Sequence, residues 1–120
     1  MKNILRLEQL ALFLLSIFMF ARLTELPWCF YAGLFFTPDA AFLGYLVNTK
    51  VGAICYNLLH HQGLWILIAI IGFSTQIEWV LGLGLVYIGH SAFDRLFGYG
   101  LKYPDSFNNT HLGSIGNKVQ

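Results

Sequence analysis

Apolar residues run along this chain in four long stretches, each separated from the next by only a few polar residues. The first runs from about Leu7 to Leu23, between Arg6 and Arg22, and the second from about Leu26 to Val47. The third runs from Val51 to Phe73 and the fourth from about Ile77 to Gly98. Between them stand Thr24-Glu25, Asn48-Thr49-Lys50 and Ser74-Thr75-Gln76. Crossing ~30 Å of hydrocarbon takes about 20 helical residues with cationic and aromatic side chains at the ends, and each stretch approaches that length. The pattern predicts an all-α fold, a four-helix transmembrane bundle of antiparallel neighbours. Residues 1–113 form a single domain of bundle and tail, and residues 114–120 read as a flexible end. Lys2 and Arg6 precede the first stretch as they would in a signal peptide, but no small-x-small cleavage site follows it, so it is read as a span.

The second stretch is irregular. Its opening run, Leu26 to Phe36, would span only ~17 Å before Thr37-Pro38-Asp39 interrupts it. Pro38 lacks a backbone donor and disfavours helical geometry at Thr37, so a broken helix is predicted, with Thr37 capping a second half-helix through Leu46. Breaks at membrane depth are tolerated where protein or a water-filled cavity satisfies the freed backbone. The competing reading is a short span followed by an interfacial helix.

Composition removes the alternatives to a membrane. Of 120 residues 57% are hydrophobic and 11% charged, against ~25% charged in a soluble domain, and the mean hydropathy is +0.62. Seven Lys/Arg against six Asp/Glu leave a net charge of +1, which offers nucleic acid no basic surface. With both termini cytoplasmic, Lys2, Arg6, Lys50, Arg95, Lys102 and Lys118 lie inside and Arg22 alone outside, the arrangement the positive-inside rule favours. An integral, multi-pass protein with cytoplasmic termini follows. Cys29 and Cys55 fall at opposite depths, too far apart for a disulfide.

Ionisable side chains inside a span are costly, so each is a functional candidate. At 1.5 Å per residue from the cytoplasmic helix ends, Asp39, His60 and His90 stand at about 12, 13 and 12 Å, delivered to one level by three helices. Asn57 and Asp94 lie one turn nearer the cytoplasm, sharing helix faces with His60 and His90. His61 points about 100° away from His60 and is read as lining a helix contact or a polar neck. Imidazole and carboxylate suit a divalent metal such as zinc or iron, with His60, His90 and Asp39 as its ligands. Without metal the same groups serve as a general acid/base pair or a proton relay, or as interhelical hydrogen-bond locks. No HExxH or CxxC spacing is present.

After the fourth span, Gly98 and Gly100 can turn the chain back beneath the bundle, giving a folded-back polar tail. Arg95, Tyr99 and Lys102 would then ring a cytoplasmic mouth and hold a phosphate or carboxylate of a substrate; the plainer role of the two cations is anchorage to anionic headgroups. Phe107 and Leu112 would pack the tail, bringing His111 towards the site. Asn108-Asn109-Thr110 matches a glycosylation sequon that a cytoplasmic tail would never use. Gly82, Gly84 and Gly89 are expected to let helices approach closely, with Trp28 and Trp79 at the outer interface.

These residues resemble a family of small membrane proteins catalogued as domain of unknown function 4260. The likeness rests on Pro38-Asp39, Gly44-Tyr45-Leu46, Gly52-Ala53, Tyr56-Asn57 with His60, Ile88-Gly89-His90 and Phe93-Asp94-Arg95. It continues through Gly98-Tyr99-Gly100-Leu101-Lys102-Tyr103-Pro104, Phe107 and Thr110-His111-Leu112-Gly113. Where that family often carries a proline three or four residues after the histidine matching His60, this chain reads His61-Gln62-Gly63-Leu64. The resemblance implies the topology and the polar positions, and brings no activity with it. The functional expectation is a cytoplasm-facing intramembrane pocket of Asp39, Asn57, His60, His90, Asp94 and His111, metal-assisted or acid/base in its chemistry, acting on a lipid-soluble or anionic small molecule. Its rivals are a non-enzymatic ligand- or proton-handling protein and a structural partner subunit.

Overall fold

The computed structural model describes residues 2–97, 109–110 and 113–114. Five α-helices and one 3-10 helix make up the first part: α1 (Lys2–Leu23), α2 (Trp28–Phe35), the 3-10 helix (Thr37–Leu46), α3 (Thr49–Leu59), α4 (Gln62–Thr75) and α5 (Glu78–Leu96). Two two-residue strands, β1 (Asn109–Thr110) and β2 (Gly113–Ser114), pair antiparallel. Among the described residues α1 is the one helix long and apolar enough by itself to cross a membrane, from Asn3 to Leu23. The pair α3 and α4 passes the same test together, bent by 41°. A four-helix bundle is therefore too simple a description, because two of the four apolar stretches are broken.

Helix α5 organises the fold. Its residues from Leu81 to Ala92 are largely buried, and α1, α4 and α2 all pack against it. Their shared core joins Phe20 of α1, Tyr31 and Phe35 of α2, Trp65 and Ala69 of α4, and Leu81, Leu85, Val86 and Ile88 of α5. Small residues set the spacing: a Cβ on Gly84 would stand 2.7 Å from the backbone nitrogen of Ala69. A polar tie runs through this core, where Ser16 Oγ donates to Leu85 O at 2.7 Å and lies 2.8 Å from the Tyr31 hydroxyl. Those bonds satisfy groups that water cannot reach.

The 3-10 helix and α3 pack chiefly on each other. A Cβ on Gly44 would meet Cys55 Sγ, Gly52 Cα and Val51 O, each at 3.1 Å, while Gly52 lies directly under the ring of Tyr45. Asn48 caps α3, its Oδ1 accepting Val51 N–H at 2.8 Å. Among the described residues neither element joins that shared apolar cluster, although Ala53 and Tyr56 of α3 are themselves buried.

Both breaks differ from expectation in detail. The second stretch does break before Pro38, but Thr37 is not its cap. Phe36 takes the N-cap position, and the Thr37 hydroxyl donates backwards to Leu34 O at 2.7 Å, the carbonyl that also accepts the Phe36 N–H at the end of α2. The segment that follows is a 3-10 helix rather than an α-helix. The third stretch, expected as one helix from Val51 to Phe73, ends at Leu59 and restarts at Gln62. His61 makes that restart: its backbone is extended (φ −79, ψ 108), and its Nδ1 accepts Leu64 N–H at 2.9 Å. His61 is thus a helix cap, and the bend needs no proline.

The apolar surface is extensive. Ile4, Leu7, Leu14 and Phe18 on α1, and Leu67, Ile70 and Phe73 on α4, are exposed along their outer faces. Trp28 and Trp79 are exposed, while Trp65 is buried edge-on to Tyr87. Cys29 and Cys55 are free thiols. At the end where α1 and α4 finish, Arg22, Glu25, Gln76 and Glu78 line a cleft of about 690 Å³, and Glu78 Oε1 accepts the Glu25 N–H.

Candidate metal centre

The two chain breaks meet at the same place. The first sets Asp39 two residues past Thr37; the second makes His60 the C-cap of α3. Helix α5 supports both. Tyr87 OH lies 2.7 Å from Thr37 Oγ1, and one turn later Ser91 Oγ donates to His60 O at 2.8 Å. Beside Ser91, His90 points into the space between, with Asp94 one turn on.

Four donor atoms converge there, all within 4.8 Å of one another: one each from Asp39, His60, His90 and Asp94. The Nε2 atoms of His60 and His90 are 3.1 Å apart. Asp94 Oδ2 is 3.1 Å from His60 Nε2 and 3.3 Å from His90 Nε2. Asp39 Oδ1 is 3.2 Å from His90 Nε2 and 3.8 Å from His60 Nε2. Asp94 was expected one turn below the histidines and instead stands among them: as the i,i+4 neighbour of His90 it shares that face of α5, and its Oδ2 reaches both Nε2 atoms.

These separations match a metal coordination shell. Ligands at 2.0–2.1 Å in a tetrahedron lie about 3.3 Å from one another, near the spacings seen between the histidines and carboxylates. The electrostatics point the same way. His60 Nδ1 is 2.9 Å from Tyr56 O, a carbonyl that can only accept, so Nδ1 carries a proton and Nε2 is the nitrogen turned inward. That nitrogen faces a carboxylate oxygen and a second imidazole, a set of donor atoms that can share a proton or a metal ion.

Burial is uneven. The His60 and His90 side chains are almost wholly enclosed, Asp94 is 17% exposed and Asp39 37% exposed, so the cluster opens on the Asp39 side. Phe35 and Phe36 set their rings edge-on to His90. His90 Nδ1 is buried with no hydrogen-bond partner among the described residues.

Other expected site residues fall differently. Asn57 is half-buried on α3, one turn before His60. Arg95 is directed from α5 to the start of α4, its Nη1 donating to Gln62 Oε1 at 3.4 Å, and Gln62 Nε2 donates in turn to Gln9 Oε1 on α1 at 2.6 Å. Tyr99, Lys102 and His111 lie outside the described residues. Tyr56 was not singled out as a site residue by the sequence, yet its hydroxyl donates to Asp94 Oδ2 at 3.2 Å and its ring lies flat on His60. The four-residue spacing from Tyr56 to His60, which puts both on one helix face, was the available signal.

The class is therefore a helical protein with a buried two-histidine, two-aspartate cluster between its helices. The chain belongs to the family described as Domain of unknown function (DUF4260), which it matches over residues 2–115. No curated protein and no solved structure matches it.

Proposed function

We propose that this chain is an integral membrane protein that binds one divalent metal ion, zinc or iron, through His60, His90, Asp94 and Asp39, and that it acts as an enzyme on a lipid-soluble substrate. One observation carries the reading: four donors from the 3-10 helix, α3 and α5 stand at the spacing of a coordination shell. Such an ion, when bound, would act as a Lewis acid. The residues divide the remaining work. His60, His90 and Asp94 are the enclosed ligands, and Asp39, at the open side, can bind the ion or take a proton at Oδ1 from a group entering there. A purely structural site would be closed on every side, which the exposure of Asp39 argues against.

The membrane setting is part of the proposal. Four crossings, two of them broken, would place α1, the α2/3-10 pair, the α3/α4 pair and α5 across the bilayer with both termini cytoplasmic. The exposed apolar faces of α1 and α4 support it, as does the gathering of polar groups at both breaks. In that setting Arg95, Tyr99 and Lys102 would receive an anionic end of the substrate at the cytoplasmic mouth, and His111 would approach the centre from the tail.

Metal analysis of the purified protein tests the reading. About one equivalent of zinc or iron is expected, lost in a His60→Ala/His90→Ala double variant that remains folded. Wild-type protein that neither carries metal nor takes up added zinc or cobalt would overturn it and leave the direct histidine contact as a proton-sharing pair.

A further inference from the structure

We infer that Tyr56 is the positioning residue of this metal centre, a single side chain that orients two ligands at once; the inference rests on the metal reading above. Tyr56 is 2% exposed, one turn before His60 on α3. Its carbonyl oxygen accepts both the backbone N–H and the ring Nδ1–H of His60, each at 2.9 Å. Its ring stacks on the His60 imidazole, with centroids 3.8 Å apart and planes 8° from parallel. Together the carbonyl and the ring fix the tautomer, the plane and the direction of the Nε2 lone pair.

The hydroxyl reaches the other side of the centre. It donates to Asp94 Oδ2 at 3.2 Å, the same oxygen that faces His60 and His90. A carboxylate oxygen has two lone pairs, so one can hold the tyrosine while the other points to the ion. This arrangement keeps Oδ2 turned inward and favours binding through one oxygen over binding through both. Asp94 belongs to α5 and His60 to α3, so Tyr56 also registers the two helices against each other at the site. Groups of this kind stand behind most protein metal ligands, and their removal typically lowers affinity about 10–100-fold.

Only the hydroxyl and the ring can be removed by substitution; the carbonyl stays. Tyr56→Phe keeps the stack on His60 and deletes the bond to Asp94, whereas Tyr56→Leu deletes both. Cobalt(II) titrated into detergent-purified protein reports on affinity and, through its visible bands, on coordination number. Tyr56→Phe should bind cobalt about 10–100-fold more weakly than wild type and show the weaker bands of a higher-coordinate ion, with Tyr56→Leu weaker still. Should the phenylalanine variant not fold, 3-fluorotyrosine at position 56 keeps the size and changes the strength of the donor, and a shift of the cobalt bands is then the expected result. Unchanged affinity and bands in these variants, with wild type binding normally, would overturn the role of Tyr56 alone. Failure of wild type to bind cobalt would overturn the metal reading and this inference with it.

Discussion

Two regions of the molecule are held together by different forces. Helices α1, α2, α4 and α5 share one apolar core, and even its internal hydrogen bonds, such as Ser16 to Leu85, serve packing. The 3-10 helix and α3 pack on each other through Gly44, Gly52 and Tyr45; α3 buries Ala53 and Tyr56 and sets Leu59 against that core, but among the described residues neither element joins its buried cluster. They meet α5 through polar groups: Thr37 with Tyr87, Asp39 with His90, Tyr56 with Asp94, His60 with His90 and Ser91. One region is specified by volume and the other by the geometry of donors and acceptors. The candidate centre takes ligands from each side of that junction, so an ion bound there would fasten the second region to the first.

The largest effect should separate the two regions by their packing. In Gly84→Val the new side chain would begin 2.7–2.9 Å from Ala69 N, Cα and Cβ, and backbone cannot step aside as a flexible side chain can. Forcing α4 from α5 should cost at least ~1–3 kcal/mol and loosen the whole fold. Gly52→Val strikes the ring of Tyr45 instead and should loosen residues 37–59 while α5 keeps its protection. Hydrogen exchange of the two variants decides the matter: loss of protection throughout the chain in both would mean that the regions form one cooperative unit.

A second, smaller effect concerns the ion that the proposal places at the junction. His90→Ala should weaken zinc binding more than about 100-fold, beyond what is usual for a supporting residue, because a ligand itself is lost. Chelation of wild type should raise exchange in residues 37–59 and leave Leu81 to Ala92 largely unchanged. Acid should act like the chelator: these ligands bind metal only when deprotonated, so affinity falls as pH falls and binding releases protons. Calorimetry in buffers of different ionisation enthalpy measures that release, and pH-independent binding would argue against histidine and carboxylate ligation.

Legibility from the sequence followed the same division. The apolar stretches and the close approach at Gly84 could be read because periodicity and small residues act locally on one helix. Counting residues from the helix ends suggests that Asp39, His60 and His90 lie near one another, and their donor atoms do come together. The break at His60-His61 could not be read, because part of what satisfies it lies elsewhere: Ser91 of α5 takes the His60 carbonyl, while the side chain of His61 caps α4 at the break itself. Thr37 misled for a similar reason, its hydroxyl being committed to Leu34 and Tyr87. Tyr56 escaped notice because tyrosine in an apolar stretch looks like packing until Asp94 is found opposite its hydroxyl.

The smallest effect should sharpen the comparison most, because it uses the same substitution in both regions. Ser91→Ala removes the α5 donor from His60 O, at the end of α3, and Ser16→Ala removes the donor from Leu85 O within the apolar core. Each deletes a buried serine hydroxyl bonded to a main-chain carbonyl, and interhelical hydrogen bonds of this kind contribute on average ~0.6 kcal/mol, with a maximum of ~1.7. Ser16→Ala also takes a partner from the Tyr31 hydroxyl, so its total cost should be the larger, and the distributions should differ. In Ser16→Ala the surrounding core still holds α1 on α5 through Phe20, Leu85 and Ile88, so the loss spreads thinly over the fold. In Ser91→Ala there is little apolar contact to take up the slack, so faster exchange should concentrate in residues 37–59 and metal affinity should fall slightly with it. Equal, diffuse changes in both variants would show that α3 is held on α5 by packing after all.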